Sequence, residues 1–446
     1  MSVIGHAFQK LESWLGSYTI EVFASTLPTA WIEASLLVSG RGTQRVRKLT
    51  APFTVWLVIA MGLYRNLSIQ NVLDRMGNIL GVGSLWLKGQ VPTSTAVTEA
   101  RDRVGFGPMR ELCERFRMWL LEKYRDAMSW KGLLVLALDG TTLKVPDSPE
   151  NRRRFGLPGA SRGRAAFPQM RALFLISTKL RFILGSLFAP YRRAEAPLAM
   201  KMLAWVPFGS LVILDRNFNA WRFLLGLRDV GSHFLVRAKR GMAGRVLQVL
   251  GPGDRLIEMK IPRGLQRRFP SLPKTVVVRE ISARIKGKSF RYFTSLLDAS
   301  MCPATEMVML YAERWQEETS LDEIKTHQCG ATTVNRPVIF RCKTSRRVLQ
   351  EAYGLVLAYN LVRSLMTESA QKHHVPPLRI SFVDTLERIR SATLLMAAAP
   401  TRTLPAIYAN LLLSISRCQV PQRCRHNPRA VCIKMSAYPL KRKKAS

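Results

Sequence analysis

The sequence predicts an α/β protein with a mixed-sheet core, an all-helical region before the core and a helical, basic region after it. Two observations lead to this fold class. Apolar residues recur at helical spacing up to about residue 125, whereas short unbroken apolar runs bounded by turn residues begin at Leu133. A chain of 446 residues, 47% of them hydrophobic, can bury several cores. The regions are expected at 1–125, 126–239, 240–300, 301–345 and 346–446.

The amino-terminal region consists of predicted short helices. One begins after Pro28, a second has Pro52 near its start, and Ser68 can cap a third. The segment from Pro92 to Gly105 contains small and capping residues and then basic ones. Its composition fits either a helix-turn-helix reading element or an ordinary helical hairpin with solvated arginines.

The core is predicted from the change of pattern at Leu133. The run LLVLALDG ends in Asp139 and a glycine turn, and is typical of a strand buried on both faces. The elements after it give the order β-β-β-α-β-α-β followed by a later helix, which is the order of the ribonuclease-H-like fold. They are strands at Met170–Ser177 and Phe182–Ala189, a helix at Glu195–Ala204, a strand at Ser210–Leu214, a helix at Asn219–Val230 and a strand at His233–Ala238.

A β-rich insertion is predicted at 240–300. Three alternating stretches separated by turn residues indicate its strands: Arg255–Ile261, Thr275–Ile285 and Ser289–Ser295. Fifteen basic residues face three acidic ones between Arg237 and Arg291. Such a bias favours a surface that contacts DNA phosphates.

The charge of the whole chain points the same way. Its 68 Lys and Arg residues against 30 Asp and Glu give +38, which indicates a polyanionic partner such as nucleic acid, with or without chemistry. The tail from Arg417 to Ser446 has nine basic residues and no acidic one. No secretory signal is recognisable, and the longest apolar run, Ala51–Tyr64, is too short to span a bilayer. We expect a cytoplasmic protein with no membrane partner.

Four residues near position 318 share a helical spacing. Tyr311 is followed by Arg314, Glu318 and Lys325 at offsets of 3, 7 and 14, so that about 100° of rotation per residue places them on one face of a helix. That face would present a carboxylate between two cations and a phenol. These are the side chains needed to hold a metal ion against a phosphodiester.

Three carboxylates are the candidate metal ligands: Asp139, Asp215 and Glu318. The two aspartates each end an apolar run, although an Asp-Gly turn at the first and a helix N-cap at the second are the ordinary alternatives. A solvated helix face is the alternative for Glu318. Hard oxygen ligands suit Mg²⁺, and two such ions about 3.5–4 Å apart can share a scissile phosphate. Asp322 is the main competitor of Glu318, because Glu317 points about 100° away.

The four spaced residues match the Y-x2-R-x3-E-x6-K signature, and the chain resembles bacterial insertion-sequence transposases of IS family 4. The resemblance runs from about Leu27 to the carboxyl terminus. It also rests on D-G-T-T after the first strand, D-R-x-F after a later one, and L-P-T-A-W-I-E-A-S-L and A-R-D-R-V-G in the amino-terminal region. It implies that Asp139, Asp215 and Glu318 form the metal-binding DDE triad. The implied DNA contacts are Tyr311, Arg314, Lys325 and Arg216.

The resemblance implies a cut-and-paste transposase that cleaves element ends and joins the 3′-hydroxyl to target DNA. Two Mg²⁺ ions are the expected cofactors, with Mn²⁺ as a substitute. The expected partners are double-stranded DNA, as terminal inverted repeats bound by the 1–125 region and as target, and a second copy of the chain in a synaptic homodimer. The expected location is the nucleoid in the bacterial cytoplasm. Two alternatives stay open: an inactive or domesticated DNA-binding protein, and a metal-dependent nuclease that hydrolyses without joining.

Overall fold

A computed structural model gives the fold of most of the chain. The described residues are 23, 26–42, 49–79, 91–160, 163–285, 287–328 and 340–421. The basic tail predicted from Arg417 to Ser446 lies outside them beyond residue 421, as do residues 1–22 of the predicted helical region. No helix in the described ranges is long and apolar enough to cross a membrane.

Helices precede the sheet, as predicted. They are α1 (Thr29–Val38), α2 (Ala51–Leu63), α3 (Ile69–Ile79), α4 (Ser94–Val104) and α5 (Gly107–Tyr124). The predicted cap on α3 is confirmed, because the Asn71 N–H donates to Ser68 Oγ at 3.1 Å. On α4, Arg101 is buried and its Nε donates to Gln350 Oε1 at 2.9 Å. Arg101 is therefore neither exposed to read DNA nor solvated, because its side chain bonds inside the protein.

One ten-stranded mixed sheet forms the core. Its strands are β1 (Ser129–Trp130), β2 (Leu133–Lys144), β5 (Gln169–Ser177), β6 (Ile183–Pro190), β7 (Ser210–Leu214), β8 (His233–Arg237), β9 (Arg245–Gly251), β10 (Asp254–Lys260), β11 (Thr275–Ile285) and β12 (Lys288–Thr294). A short ribbon, β3 (Gly159–Ala160) and β4 (Gly163–Arg164), and the helix α6 (Pro149–Phe155) lie between β2 and β5 in the chain. The spatial order is β6-β5-β2-β7-β8-β12-β11-β10-β9, with β1 beside β2. Strands β2, β7 and β8 are parallel, and the other pairs are antiparallel.

The helices α7 (Glu195–Met202) and α8 (Trp221–Asp229) alternate with β7 and β8 in the chain. The core order β2-β5-β6-α7-β7-α8-β8 is therefore the predicted ribonuclease-H-like order. Apolar side chains of β2, β5, β7 and β8 are almost completely buried, which explains why their sequences read as unbroken apolar runs.

The predicted turn after Asp139 is wrong. Strand β2 continues to Lys144, because its antiparallel partner β5 keeps pairing as far as Lys144 opposite Gln169. Its parallel partner β7 ends much earlier, at Leu214 opposite Leu138. Gly140 is therefore a strand residue, and a Cβ there would lie 2.8 Å from Glu195 Oε1, closer than van der Waals radii allow.

The insertion extends the core sheet. Strand β12 pairs with β8, and β11, β10 and β9 follow outward to the edge. The three predicted strands are present, but β9 was not predicted, because its residues 245–249 are exposed and carry no alternation of burial. A short helix, α9 (Arg263–Arg268), replaces a predicted turn.

The single helix expected to carry the four spaced residues is broken, which corrects the prediction that they share one helix face. The segment consists of α10 (Ala304–Ala312), α11 (Trp315–Asp322) and a π-helical turn, Glu323–Gln328. The break coincides with anchoring of the segment to the β5–β6 turn. Thr178 Oγ1 donates to Glu313 Oε2 at 3.0 Å, and Arg181 Nε donates to Gln316 Oε1 at 2.9 Å.

The carboxyl-terminal region is helical, as predicted, with α12 (Ser345–Lys372), α13 (Phe382–Ala398) and α14 (Leu404–Ser416). Helix α12 is buried along most of its length and packs against α2, α5 and α14. Its Arg363 and Tyr359 also bind Glu323, the first residue of the π-helical turn, with Tyr359 Oη donating to Glu323 Oε2 at 2.9 Å. One helix thus holds the amino-terminal helices and the broken segment together.

Candidate active site

Strand register places two aspartates side by side. The last parallel pair of β2 and β7 is Leu138 with Leu214, and the next residue on each strand is Asp139 and Asp215. The Gly140 N–H donates to Asp139 Oδ1 at 2.7 Å. The pKa of Asp139 is raised to about 6, chiefly by burial and in smaller part by the charge of Asp215, against the opposing effects of the Gly140 N–H and Arg314. Two carboxylates held this close favour a cation between them.

Asp215 also holds the chain that leaves β7. Its Oδ1 accepts from the N–H groups of Asn217 at 2.8 Å and Phe218 at 3.3 Å, which caps a short 3₁₀ turn over Arg216–Phe218. The N-cap alternative and the ligand role are therefore compatible, because Oδ2 is not used in the cap.

The broken segment brings the cations of the four-residue pattern to the aspartates. Arg314 Nη2 donates to Glu318 Oε1 at 2.8 Å, and the charge of Arg314 acts on Asp139. Lys325 Nζ donates to Thr141 Oγ1 at 3.0 Å, on the strand that carries Asp139. The site therefore has two cations close to the aspartate pair.

Tyr311 is the fourth member of the pattern. Its ring centroid lies 4.5 Å from that of Tyr292 on β12. Burial raises its pKa to about 12, so that its hydroxyl stays protonated and can donate a hydrogen bond at neutral pH. The Asp215 carboxylate also contributes to this pKa, which places the phenol in the electrostatic range of the site.

Glu318 lies on the open side of the segment. It lines a cavity of about 540 Å³ together with Trp315, Asp322 and Lys325. Across the described part of the chain, no three His, Cys, Asp or Glu side chains are gathered closely enough to hold a metal ion. The structure thus sets Asp139 beside Asp215 and bonds Glu318 to Arg314, without gathering the three carboxylates into one cluster.

The buried carboxylate on this segment is Glu317. Its side chain is 1% exposed, and neither carboxylate oxygen has a hydrogen-bond partner. Burial raises its pKa well above the usual range, and the charges of Asp139 and Asp215 add to the shift while Arg314 opposes it. Glu317 is therefore close enough to sense both aspartates, although the sequence ranks it below Asp322 as a competitor of Glu318.

Asp322, expected to be the main competitor of Glu318, points to solvent. Its Oδ1 accepts from Thr326 Oγ1 at 2.7 Å, and its Oδ2 lies 3.3 Å from His327 Nε2. Its side chain is 59% exposed. Asp322 and Glu318 share the open side of α11 and line the same cavity, as the spacing predicted, whereas Glu317 is the carboxylate on the buried side.

A basic cleft adjoins the aspartates. Its volume is about 830 Å³, and Arg216, next to Asp215, lies at its wall. No acidic side chain lines it among the described residues; the lining residues are Arg216, Arg237, Ala238, Lys239, Arg240, Gly241, Lys288, Ser289, Phe290 and Arg291. The composition of the insertion predicts its positive charge. That its basic residues lie near Arg216 follows only from the pairing of β12 with β8, which the sequence does not show.

The ribonuclease-H-like sheet, the central aspartate pair and the basic cleft define a class, that of proteins that act on nucleic acid through this fold. A family model described as "Transposase DDE domain" matches residues 130–361, and one described as "Insertion element 4 transposase N-terminal" matches residues 17–114. The chain belongs to the IS4 family of DDE transposases. It is a DNA transposase, as predicted, and the non-catalytic and hydrolysis-only alternatives are not favoured. DDE transposase domains are metal-dependent, generally with Mg²⁺ or Mn²⁺.

Individual proteins show the same likeness. Transposase InsG for insertion sequence element IS4, from Escherichia coli K12, is 27% identical over 427 residues, which cover 93% of this chain and 92% of InsG. InsZ of the same strain is 30% identical over 282 residues, 60% of this chain and 91% of InsZ. A cryo-EM structure of the piggyBac transposase synaptic complex with hairpin DNA is similar with a TM-score of 0.39 and 12% identity, over 88% of this chain and 85% of that one.

Proposed function

We propose that this transposase cleaves the ends of its own element and joins the exposed 3′-hydroxyl to target DNA, with Asp139, Asp215 and Glu318 as metal-binding carboxylates. The observation that carries the proposal is the register of β2 and β7, which sets both aspartates at the point where their parallel pairing stops. Glu318 joins them because it occupies the glutamate position of the Y-x2-R-x3-E-x6-K signature. The arrangement supports a catalytic site at the centre of the sheet.

The residues present suit a hard divalent cation. The aspartate pair offers oxygen donors only, and Glu317 adds buried carboxylate oxygens that have no protein partner. We propose that Asp139, Asp215 and Glu318 hold two Mg²⁺ or Mn²⁺ ions. When bound, such ions would activate the attacking oxygen and stabilise the leaving one.

The remaining residues of the pattern bind the DNA backbone in this proposal. Arg314 can present its planar guanidinium group to a phosphate. Lys325 bonds to Thr141 on β2 and supplies a point charge beside the strand that carries Asp139. The protonated Tyr311 hydroxyl can donate to a phosphate oxygen. Arg216 and the basic cleft would hold the DNA that continues beyond the scissile bond.

The proposal extends to the DNA ends that the protein binds, its pairing with a second copy and its location in the cell. The region 1–125 binds the terminal inverted repeats. Two copies of the chain act together as a homodimer when they synapse the two ends. The protein works on double-stranded DNA of the nucleoid in the bacterial cytoplasm, in keeping with its charge of +38.

The first prediction tests the carboxylates. Asp139→Asn, Asp215→Asn and Glu318→Gln keep side-chain shape and remove the charge that binds a metal ion. Each should abolish Mg²⁺-dependent nicking and strand transfer on a labelled duplex that carries the inverted repeat flanking the gene. Binding of that duplex without metal should persist, because repulsion from phosphates falls.

The product distribution tests the rest of the proposal. Joined product from the unaltered protein separates a transposase from a nuclease that only hydrolyses. If all three variants cut and join normally, the assignment of the site is wrong. If the unaltered protein binds the duplex and never nicks it, the non-catalytic alternative is correct.

A further inference from the structure

Glu317 differs from every other described acidic residue on the broken segment. The others bind a protein partner, and their partners are Lys131 for Glu306, Lys179 and Thr178 for Glu313, Arg314 for Glu318, Thr326 and His327 for Asp322, and Arg181, Arg363 and Tyr359 for Glu323. Glu317 is the most buried of them and has no hydrogen bond on either oxygen. An ordinary structural role therefore does not account for it.

Burial of a carboxylate without a partner opposes folding. The cost amounts to several kcal/mol for an ionised group, and an apolar side chain of similar size would avoid it. Glu323, further along the same segment, is 4% exposed and has three partners, which shows how this region satisfies a buried acid when the acid is structural. The position of Glu317 is therefore explained better by a ligand than by packing.

The side of α11 on which Glu317 lies indicates what kind of ligand its carboxylate could bind. Helix α11 packs against β2, the strand that carries Asp139, and Glu317 lies on the buried side of α11. Its surroundings combine three carboxylates, its own and those of the two aspartates, with Arg314 as the nearby cation. Because Arg314 is already bonded to Glu318, Glu317 has no cation of its own to stabilise its ionised form, and a divalent cation would supply one.

We propose that Glu317 is a fourth carboxylate of the metal site, which moves onto the ions from the buried side when they bind, while Glu318 does so from the open side; without the ions the described carboxylates are not gathered into one cluster. The inference rests on the proposed function, since it assumes that Asp139 and Asp215 bind the ions. Consecutive helical residues diverge by about 100°, so that Glu317 and Glu318 can flank one site from two directions without sharing a position. The ions would satisfy the Glu317 oxygens that the protein leaves unpaired.

Mn²⁺ binding to the full-length protein tests the proposal without any need for DNA or activity. Glu317→Gln should weaken Mn²⁺ affinity by about tenfold or more in isothermal titration calorimetry, since even residues behind metal ligands contribute about 10–100-fold. The matched control is Asp322→Asn, an exposed acid on the same helix, which should leave the affinity unchanged.

Thermal unfolding gives the second readout. In EDTA, Glu317→Gln should melt no lower than the unaltered protein, because a neutral amide replaces an unpaired buried acid of the same shape. Added Mn²⁺ should raise the melting temperature of the unaltered protein by more than that of Glu317→Gln. A variant that melts lower in EDTA and responds fully to Mn²⁺ would make Glu317 structural and overturn the proposal.

Asp139→Asn distinguishes the two levels of failure. If Asp139→Asn weakens Mn²⁺ binding while Glu317→Gln retains it, the fourth carboxylate is rejected and the proposed function stands. If neither variant changes Mn²⁺ binding, the metal site itself is misplaced, and the inference falls with it.

Discussion

At the residue scale, Glu351 on α12 joins distant parts of the chain. It is buried and pairs with Arg65, which follows α2, and with Arg341, whose Nε lies 3.3 Å from Glu351 Oε1. Arg341 also donates to the backbone oxygens of Leu67 at 2.7 Å and Met61 at 2.8 Å. Burial alone would raise the pKa of Glu351, but the arginines outweigh it and lower the pKa from the usual 4.5 to about 2.

The second prediction follows from this pKa. Because the folded-state pKa lies below the unfolded-state value, ionised Glu351 stabilises the folded protein above about pH 4.5. Glu351→Gln should therefore reduce the free energy of unfolding at pH 7 by about 3–5 kcal/mol, since it removes the buried negative charge that offsets those of Arg65 and Arg341. The difference between variant and unaltered protein should shrink as the pH falls from 4.5 towards 2, where the native carboxyl is also neutral. Urea unfolding across that range measures it.

An exposed pair provides the control for this prediction. Glu387 on α13 pairs with Arg390 and is 63% exposed, so Glu387→Gln should change stability little at any pH. If the difference in free energy of unfolding between Glu351→Gln and the unaltered protein stays constant down to pH 2, the Glu351 charge does not stabilise the protein.

Single residues also show where sequence reasoning stops. That Asp139 and Asp215 lie on neighbouring strands follows from the sequence because each ends an apolar run, which strand burial explains; their role as metal ligands stays a prediction. The burial of Glu317 could not be predicted, since the sequence does not show where the helix breaks or which side of α11 is covered. The break coincides with a contact to Arg181, which lies in another part of the chain and has a positive φ of 59°.

At the element scale, two glycines let α2 and α12 cross at close range. A Cβ on Gly354 would lie 2.7 Å from Val58 Cγ1 and 2.8 Å from the Val58 carbonyl oxygen. A Cβ on Gly62 would lie 2.7 Å from Ala358 Cβ. The two helices therefore meet backbone to backbone, which no larger residue permits.

The third prediction concerns this crossing. Gly354→Ala gains about 1 kcal/mol in helix propensity but overpacks against the backbone of α2, which costs about 1–3 kcal/mol or more. The overpacking should dominate, because a carbonyl oxygen inside α2 cannot move aside as a flexible side chain can. We expect a lower free energy of unfolding in urea.

Gly264 on α9 is the matched control, since nothing lies within 4 Å of a Cβ placed there. Gly264→Ala should raise stability slightly through helix propensity alone. If Gly354→Ala also stabilises the protein, α2 and α12 leave room for a methyl group at their crossing, and the prediction is wrong.

Elements with one consistent burial pattern were predictable, and the others were not. The core strands were recognised because both their faces are covered. Strand β9 was missed, because it forms the outer edge of the sheet and its exposed residues carry no period-two signal. The continuity of the strand through Asp139 was missed because an Asp-Gly pair ordinarily predicts a turn, and only the long partner β5 overrides it.

At the scale of the whole molecule, the positive charge is distributed unevenly. The basic cleft is lined by Lys and Arg side chains from the end of β8, the 3₁₀ turn after Asp215 and the start of β12. Two of its residues, Arg240 and Lys288, are exposed at its rim. DNA that enters the site should therefore meet this cleft.

The fourth prediction uses the salt dependence of binding. Arg240→Ala/Lys288→Ala should lower affinity for duplex DNA and reduce the log–log slope against salt by about 0.9 for each phosphate that the cleft no longer neutralises. Fluorescence anisotropy at several salt concentrations measures both quantities. Lys372→Ala/Arg402→Ala removes two exposed cations from the helical carboxyl-terminal region and should leave the slope unchanged. Equal slopes for both double variants would mean that the cleft is not where DNA binds.

Helix α12 has a consequence for how the enzyme is made. During translation Asp139 and Asp215 leave the ribosome before the insertion and the glutamates, and the helix that fastens them emerges only after all of these. Through Glu351 and Arg363 it fastens the amino-terminal helices and the π-helical turn at once. A nascent chain stopped before Ser345 would carry every proposed carboxylate and lack the helix that supports their geometry. Nonsense and frameshift mutations that remove α12 should therefore silence transposition as effectively as the loss of an aspartate.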